Sequence, residues 1–171
     1  CIWNGMTATD ELKNQINFSS AYMNNSQVAV IRKADAAKYK DLASMSGAKV
    51  VAEAGSAGEI AVKADAGLSK SYLPVKDQGT SLMEVKSKTA DIAIIDAVTA
   101  AGSIGEGTDY DDLMIVDVIS SADSEVYAVG IRKSDTELTA KINAAIKELY
   151  DDGTLAKLAE KYNLSGRVIA Q

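Results

Sequence analysis

The stretch from Val50 to Asp65, VVAEAGSAGEIAVKAD, combines a short apolar run, a loop of small residues and a helix-forming segment. The run Val50–Ala52 has the character of a strand, and Gly55–Gly58 supplies the small residues of a tight turn. The first turn of a helix exposes unpaired N–H groups and carries a partial positive charge, so this loop lets an anionic ligand group approach such donors. The stretch is therefore a candidate anion-binding site, although an ordinary strand-to-helix turn explains the same residues equally well.

A second strand-to-helix junction, DIAIIDAVTAAG, places Asp96 directly after an apolar run. The Asp96 carboxylate is suited either to binding an ammonium group or to capping the helix that follows. A nucleotide is not the expected ligand, because the first junction lacks the lysine of a P-loop and the full G-x-G-x-x-G spacing.

Composition narrows the classes of function. Hydrophobic residues make up 47% of the 171-residue chain and charged residues 25%, which is typical of a soluble globular protein. The net charge of −6, with a single Trp and a single Phe, makes nucleic acid a poor partner. There is no His and the only Cys is Cys1, so the common zinc sites and Cys/His nucleophile pairs are excluded. We predict no catalytic residue, no metal and no cofactor, and a small solute as the ligand.

Two segments of the chain echo each other, AVIRK ending at Lys33 and AVGIRK ending at Lys133. We interpret them as strands that leave and re-enter one lobe, and expect Val28–Lys33 and Val126–Lys133 to lie side by side as the hinge; a chance match is the alternative. Between them strand and helix patterns alternate, which predicts a parallel α/β sheet. The predicted organisation is 1–26 and 127–171 in one lobe, and 27–126 as the other.

The last part of the chain has the pattern of two helices. Ser134 and Glu137 have the spacing of a capping box, Gly153 is expected to end the first helix, and Thr154 to cap the second. One apolar stripe on the first helix is expected to be core; it consists of Leu138, Ile142, Ala145, Ile146 and Leu149.

Several motifs occur together: NGMTATDE, INFSSAYM, NSQVAVIRK, LASMSGAKVVAEAGSAGE, TADIAIID, YAVGIRKSD and KELYDDGTLAKLAEKY. In this order they resemble the polar amino-acid substrate-binding proteins of bacterial ABC importers over the whole chain. The resemblance implies an α/β fold of the type II periplasmic-binding-protein kind, with two three-layer α/β/α lobes joined by two hinge strands and closing on a ligand.

The opening of that family's first lobe has no counterpart here. A lobe without it would expose a strand edge and the apolar face of the long C-terminal helix, which is unfavourable in a soluble monomer. We therefore expect the parent protein to carry a further N-terminal segment with a secretion signal, and interpret Cys1 as an internal residue. The alternative is that an element-swapped homodimer fills the gap.

The resemblance also implies roles for individual residues. Gly5 and Thr7 are expected to contact the α-carboxylate of the ligand. Ser56 and Ala57 are expected to present backbone donors, and Asp96 to take the α-ammonium.

Two further positions bear on the ligand. Glu53 lies at the edge of the family's cleft and would favour a cationic ligand side chain, although an exposed Glu at a strand end explains it too. The family usually has an Arg two residues after Asp10, where this chain has Leu12. Lys13 is about 100° further round the helix and cannot replace it. The ligand carboxylate is then held without that Arg, or the ligand is not an ordinary α-amino acid.

The function that the resemblance implies is that of an extracytoplasmic solute-binding protein, in a periplasm or as a cell-surface lipoprotein. It would capture an amino acid or related amine and deliver it to the permease of an ABC importer, without catalysis. The alternatives are an elimination or dehydratase enzyme on the same fold, with Glu53 or Asp96 as the acid, and a ligand-sensing domain of a signalling protein.

The Leu12 departure gives a first prediction. Leu12→Arg is expected to strengthen the binding of α-amino acids by about tenfold or more, because each charge-assisted hydrogen bond to a carboxylate contributes about 1.5–3 kcal/mol. Calorimetric titration across the common amino acids measures this. No gain for any of them would show that the ligand is oriented differently or that this lobe is not a binding surface.

Overall fold

The computed structural model describes residues 1–119 and 125–171. Contacts divide the chain into two units, Cys1–Asn25 with Ser124–Gln171 (the split unit) and Ser26–Asp123 (the continuous unit). The lobe boundaries expected from the sequence, 1–26, 27–126 and 127–171, stay predictions beside this division.

The regular elements follow in chain order. The helices are α1 (Asp10–Gln15), α2 (Ala57–Ala64), α3 (Gln78–Lys86), α4 (Ala97–Ser103), α5 (Thr136–Asp151) and α6 (Thr154–Lys161). The strands are β1 (Asn17–Phe18), β2 (Met23–Asn25), β3 (Gln27–Arg32), β4 (Val50–Glu53), β5 (Tyr72–Val75), β6 (Ile92–Asp96), β7 (Leu113–Ile119), β8 (Glu125–Tyr127) and β9 (Gly130–Ile131). Within the two described ranges, no helix combines the length and apolarity needed to cross a membrane.

The continuous unit is built on a mixed sheet with the strand order β5-β4-β6-β3-β7. β4 runs parallel to β5 and β6, as the alternating pattern predicts, but β3 is antiparallel to both β6 and β7. The alternating pattern lies between the echo segments and includes β4, β5 and β6, whereas β3, the first echo segment, joins this sheet antiparallel. No strand–helix–strand crossover links β3 to its neighbours in the sheet, and such crossovers are what make adjacent strands parallel.

Helices cover both faces of this sheet. Successive residues of β3 point to opposite faces, so Ala29 and Ile31 join one core cluster while Val28 and Val30 join the other. The first cluster includes Val62 of α2, and the second includes Leu82 of α3. The continuous unit is thus a three-layer α/β/α arrangement, as expected, and its carboxyl-end edge is the platform for the candidate site.

The split unit contains two short antiparallel pairs, β1 with β9 and β2 with β8. The expectation that the two echo segments lie side by side is wrong, because β3 is an inner strand of the five-stranded sheet whereas β8 and β9 pair with β2 and β1. The apolar side chains of β3 are buried on both faces, and an inner sheet position satisfies that pattern. The residues that pair instead are Met23–Asn25 with Glu125–Tyr127.

Gly153 ends α5 as predicted, because it directly follows the C-cap residue Asp152. The predicted N-caps of the last two helices are each wrong by one residue. Asp135, not Ser134, is the N-cap of α5, and its side chain makes no cap bond. Glu137 is therefore the second helical residue rather than the third, and the predicted capping box does not form. Gly153, with φ of +78°, is the N-cap of α6, and Thr154 is its first helical residue. The Thr154 N–H is satisfied by Asp152 Oδ1 at 2.8 Å.

The apolar stripe of α5 is less buried than predicted. Only Ile146 among its five residues is buried, and Leu138 is 37% exposed. On α6, Leu158 and Tyr162 are 46% and 60% exposed. An apolar cavity of about 210 Å³ lies beside these helices in the split unit; it is lined by residues that include Trp3, Tyr22, Ile146, Leu149, Leu158 and Tyr162, and by none of the predicted ligand residues. The expectation that the whole stripe is core is wrong because the described residues of the split unit do not cover this face.

The arginines of the two echo segments differ in the contacts they make. Arg32 and Arg132 each pair with the Asp three residues on, at 2.6 and 2.8 Å. The Arg32 side chain is only 13% exposed, and its guanidinium also donates to the carbonyl oxygens of Val85 and Ala90, both at 2.7 Å. Arg32 therefore ties β3 to the end of α3 and the loop that follows it, whereas the Arg132 side chain is 82% exposed.

Arg32→Met is expected to destabilise the protein by about 3 kcal/mol, because it removes one partner of a largely buried charge network. Arg132→Met is the matched control and is expected to change the free energy of unfolding by less than about 0.5 kcal/mol. Urea denaturation measures both. Equal effects would show that the Arg32 contacts contribute no more than a surface ion pair.

Candidate functional site

The carboxyl ends of β4, β5 and β6 lie at one edge of the sheet. Glu53 ends β4, Asp96 ends β6, and Asp77 lies just beyond β5 at the N-cap of α3. Ligands of open α/β sheets bind beyond the carboxyl ends of strands. This edge therefore brings together three acidic residues and the first turns of α2 and α3.

Asp96 is the most buried of these acidic residues, at 6% exposed. Its Oδ1 accepts a hydrogen bond from Gln27 Nε2 at 2.6 Å, and its Oδ2 accepts one from Gln78 Nε2 at 2.7 Å. The backbone N–H of Asp96 donates to Gln78 Oε1 at 3.1 Å. Both carboxylate oxygens are thus oriented by neutral amides.

The alternative role of Asp96 as a helix cap does not match its hydrogen bonds. Asp96 occupies the N-cap position of α4, but its side chain makes no cap bond. The first N–H of α4, that of Ala97, donates to the carbonyl of Ser26 at 2.8 Å. The side chain is turned toward the two glutamines instead.

The loop between β4 and α2 is held by hydrogen bonds of Ser56 and Glu59. Ser56 is the N-cap; its Oγ accepts from the N–H of Glu59 at 3.1 Å and donates to the carbonyl of Glu53 at 2.7 Å. Glu59 Oε2 in turn accepts from the N–H of Gly55, whose φ is +76°. In the described part of the chain, the N–H groups of Ala57 and Gly58 have no protein acceptor. They are the donors of α2 that an anionic ligand group can use. The prediction of Ser56 as a second backbone donor is wrong, because its N–H donates to the carbonyl of Glu53 at 3.2 Å.

Glu59 stabilises this loop through its charge. Its Oε1 accepts from the Tyr72 hydroxyl at 3.0 Å and pairs with Lys63 at 2.9 Å. Lys63, followed by the Gly55 N–H, lowers the pKa of Glu59 from 4.5 to about 2. Glu59 is therefore ionised throughout the physiological range and serves the loop rather than a ligand.

Glu53 has the opposite character. Burial raises its pKa above the ordinary 4.5, and the negative charges of Asp96 and Asp77 act in the same direction, against a smaller effect of the Gln78 backbone N–H. A cation relieves the unfavourable effect of neighbouring negative charges on the ionisation of a carboxyl group. This edge is thus electrostatically suited to a positively charged group.

The predicted residues of the split unit have simpler surroundings. Gly5 lies in an exposed bend, and half-buried Thr7 forms an isolated antiparallel bridge with Tyr127. Leu12 is half-buried on α1, which Thr9 caps as predicted, with its Oγ1 accepting from the Leu12 N–H at 3.3 Å. The Lys13 ammonium forms an ion pair with Asp10 at 2.8 Å on the same helix.

The structure adds two residues that the sequence did not reveal, Gln27 and Gln78. Gln27 begins strand β3, whose other buried residues are apolar. The β3–β6 register places Gln27 directly opposite Asp96. A polar residue at the start of an apolar strand is a weak signal by itself. The pairing of β3 with β6, which the sequence pattern did not predict, is what gives it meaning.

Comparison with known families agrees with this geometry. The model of the bacterial extracellular solute-binding proteins, family 3, matches residues 1–165. The chain belongs to this family.

Relatives of this family 3 chain are longer than the chain itself. The arginine-binding extracellular protein ArtP of Bacillus subtilis is 33% identical over 165 residues, which are 94% of this chain and 62% of ArtP. A Streptococcus pneumoniae amino acid ABC transporter substrate-binding protein bound to L-arginine is 27% identical, with a TM-score of 0.81, over 99% of this chain and 68% of that one. The ancestral amino-acid-binding protein AncCDT-1, a precursor of cyclohexadienyl dehydratase, is 31% identical with a TM-score of 0.78, over 92% and 66%.

The pKa of Glu59 gives a prediction for this family 3 chain. A carboxyl whose pKa is lowered on folding adds stability above its ordinary pKa of 4.5, and loses it as the pH falls through about 2. Glu59→Gln is therefore expected to lower the free energy of unfolding by about 1 kcal/mol at neutral pH. The difference from wild type should vanish near pH 2. Denaturation at both pH values measures it, and a difference that does not depend on pH would contradict the account.

Proposed function

We propose that this chain is the ligand-binding part of an extracytoplasmic solute-binding protein that captures a cationic amino acid, arginine foremost, and delivers it to the permease of an ABC importer. The observation that carries the proposal is the Asp96 carboxylate, held between two neutral amides at the same sheet edge as Glu53. An α-ammonium and a cationic side chain need two separate carboxylates, and this edge offers both.

Each charged group of arginine has a proposed partner. Asp96 accepts the α-ammonium, and Glu53 faces the guanidinium. The N–H groups of Ala57 and Gly58 at the start of α2 bind the α-carboxylate. Gly5 and Thr7 are proposed to contact the same carboxylate, as the resemblance implies.

The relatives support the arginine proposal. ArtP is named for arginine, and the Streptococcus pneumoniae protein holds L-arginine. The elevated pKa of Glu53 gives this chain its own reason to prefer a cation, because a positive charge beside Glu53 offsets the repulsion from Asp96 and Asp77. Neutral amino acids offer no such compensation.

A second function has one observation in its favour. A carboxyl with a raised pKa is a candidate general acid, so Glu53 suits an elimination reaction better than an ordinary surface Glu does. AncCDT-1 is a precursor of a dehydratase. We propose binding rather than catalysis because neutral amides fix both oxygens of Asp96, which suits the carboxylate to accepting the α-ammonium of a ligand. Conversion of a bound amino or cyclohexadienyl acid, followed by mass spectrometry, would favour the enzyme.

Glu53→Gln is expected to weaken L-arginine binding by about tenfold to a hundredfold, the loss of one charge-assisted contact, and to leave L-glutamine binding unchanged. Wild-type affinity for arginine should fall as the pH falls through the raised pKa of Glu53, because protonation removes the charge that attracts the guanidinium. The variant should lack this pH dependence. Calorimetry measures both effects.

The matched control is Glu106→Gln, which removes one charge from an exposed loop of the same unit. It is expected to leave arginine affinity within about twofold of wild type, since exposed charges are screened. If both variants behave alike, only the net charge matters, and the proposed contact with Glu53 is wrong.

A further inference from the structure

Asp96 is held in place from two elements at once. Gln27 reaches it from β3, in the antiparallel register that pairs the two residues, and Gln78 reaches it from the first turn of α3. Burying a carboxylate is costly unless donors satisfy it. The two amides meet that cost on opposite oxygens, so they also fix the plane of the carboxylate.

The contacts of Gln78 determine which way its amide points. Its Oε1 accepts from the backbone N–H of Asp96, which only an oxygen can do. The amide nitrogen must then face the carboxylate, where it lies 2.7 Å from Oδ2. Gln78 therefore forms hydrogen bonds to both the backbone and the side chain of Asp96, and its amide cannot flip without losing both of them.

Gln27 also links this carboxylate to the start of α2. A Cβ placed on buried Gly58 would lie 2.9 Å from Gln27 Oε1 and 3.0 Å from the carbonyl oxygen of Ile94. Only a glycine lets the first turn of α2 pack this closely on the Gln27 amide and on β6. The Gln27 side chain thus lies between the start of α2, which is proposed to bind the ligand α-carboxylate, and Asp96, which is proposed to accept the α-ammonium.

Both side chains that donate to Asp96 are uncharged. An Arg or Lys in either position would also satisfy Asp96, but would bring a positive charge of its own. Glutamine donates a hydrogen bond and carries no charge, so it fixes the carboxylate without cancelling the charge that attracts an ammonium.

We infer that Gln27 and Gln78 are positioning residues, which hold Asp96 as a pre-oriented, still charged acceptor for the α-ammonium of the ligand. The inference rests on the proposed function and goes beyond it by assigning roles to two residues that need not touch the ligand. Its consequence is specific, because loss of either amide should weaken the recognition of the α-ammonium and leave the rest of the ligand's contacts intact.

The test compares two probes, L-arginine and δ-guanidinovalerate, which is arginine without its α-ammonium. Calorimetric titration of Gln78→Met, which keeps the side-chain length and removes the amide, is expected to show about tenfold weaker binding of L-arginine. Its affinity for δ-guanidinovalerate should stay within about twofold of wild type. Gln27→Met should behave in the same way, and if this buried substitution prevents folding, the half-buried Gln78 decides the question alone.

Thr80→Val is the control in the same helical turn. Its hydroxyl donates to Asp77 rather than to Asp96, so it should leave the affinities for both probes unchanged. A loss for both probes in Gln78→Met would show a general disturbance of the site and overturn the positioning role, as would no loss for either. If wild type binds neither probe, the proposed function fails together with the inference, whereas binding by wild type with unchanged Gln78→Met affinities refutes the inference alone.

Discussion

The buried carboxylate of Asp96 is the constraint on which the site depends. A charge that is only 6% exposed requires donors, and the fold supplies them from β3 and α3. This requirement explains why polar Gln27 begins an otherwise apolar inner strand. The glycine at position 58 fits the same packing, because a Cβ there would lie 2.9 Å from Gln27 Oε1 and 3.0 Å from the Ile94 carbonyl oxygen.

The remaining parts of the edge stabilise its loops without using up its charge. The hydrogen bonds of Ser56 and Glu59 hold the β4–α2 loop, and the Asp77 side chain accepts from the N–H of Thr80 at 2.7 Å at the start of α3. Glu59 is kept ionised by Lys63, whereas Glu53 has a raised pKa beside two other carboxylates. The same residue type therefore serves structure in one position and is suited to a cation in the other, and the neighbours make the difference.

The sequence predicted the local elements of this edge well. Val50–Ala52, DIAII and the helices that follow are where their patterns placed them, because a short apolar run followed by small or acidic residues is a strong local signal. The pairing of distant segments was harder. The similar sequences of the two echo segments suggested a shared hinge. β3 is instead an inner strand of the five-stranded sheet, and Arg32 at its end donates to the carbonyl of Val85 on α3.

The burial of side chains in the split unit could not be predicted from local sequence patterns either. The stripe of α5 has helical periodicity, yet periodicity shows which face is apolar and not how much of it is covered, and Leu138 is 37% exposed. The two glutamines at Asp96 were missed for a related reason. Their meaning comes from the antiparallel β3–β6 register and from the start of α3, which are long-range features.

The most direct measurement is a crystal structure of this chain grown with L-arginine. The account predicts the α-ammonium nitrogen at about 2.7–3.1 Å from an Asp96 carboxylate oxygen, with the Gln27 and Gln78 bonds retained and the guanidinium beside Glu53. Arginine bound with its α-ammonium away from Asp96, or bound only in the apolar cavity of the split unit, would contradict it.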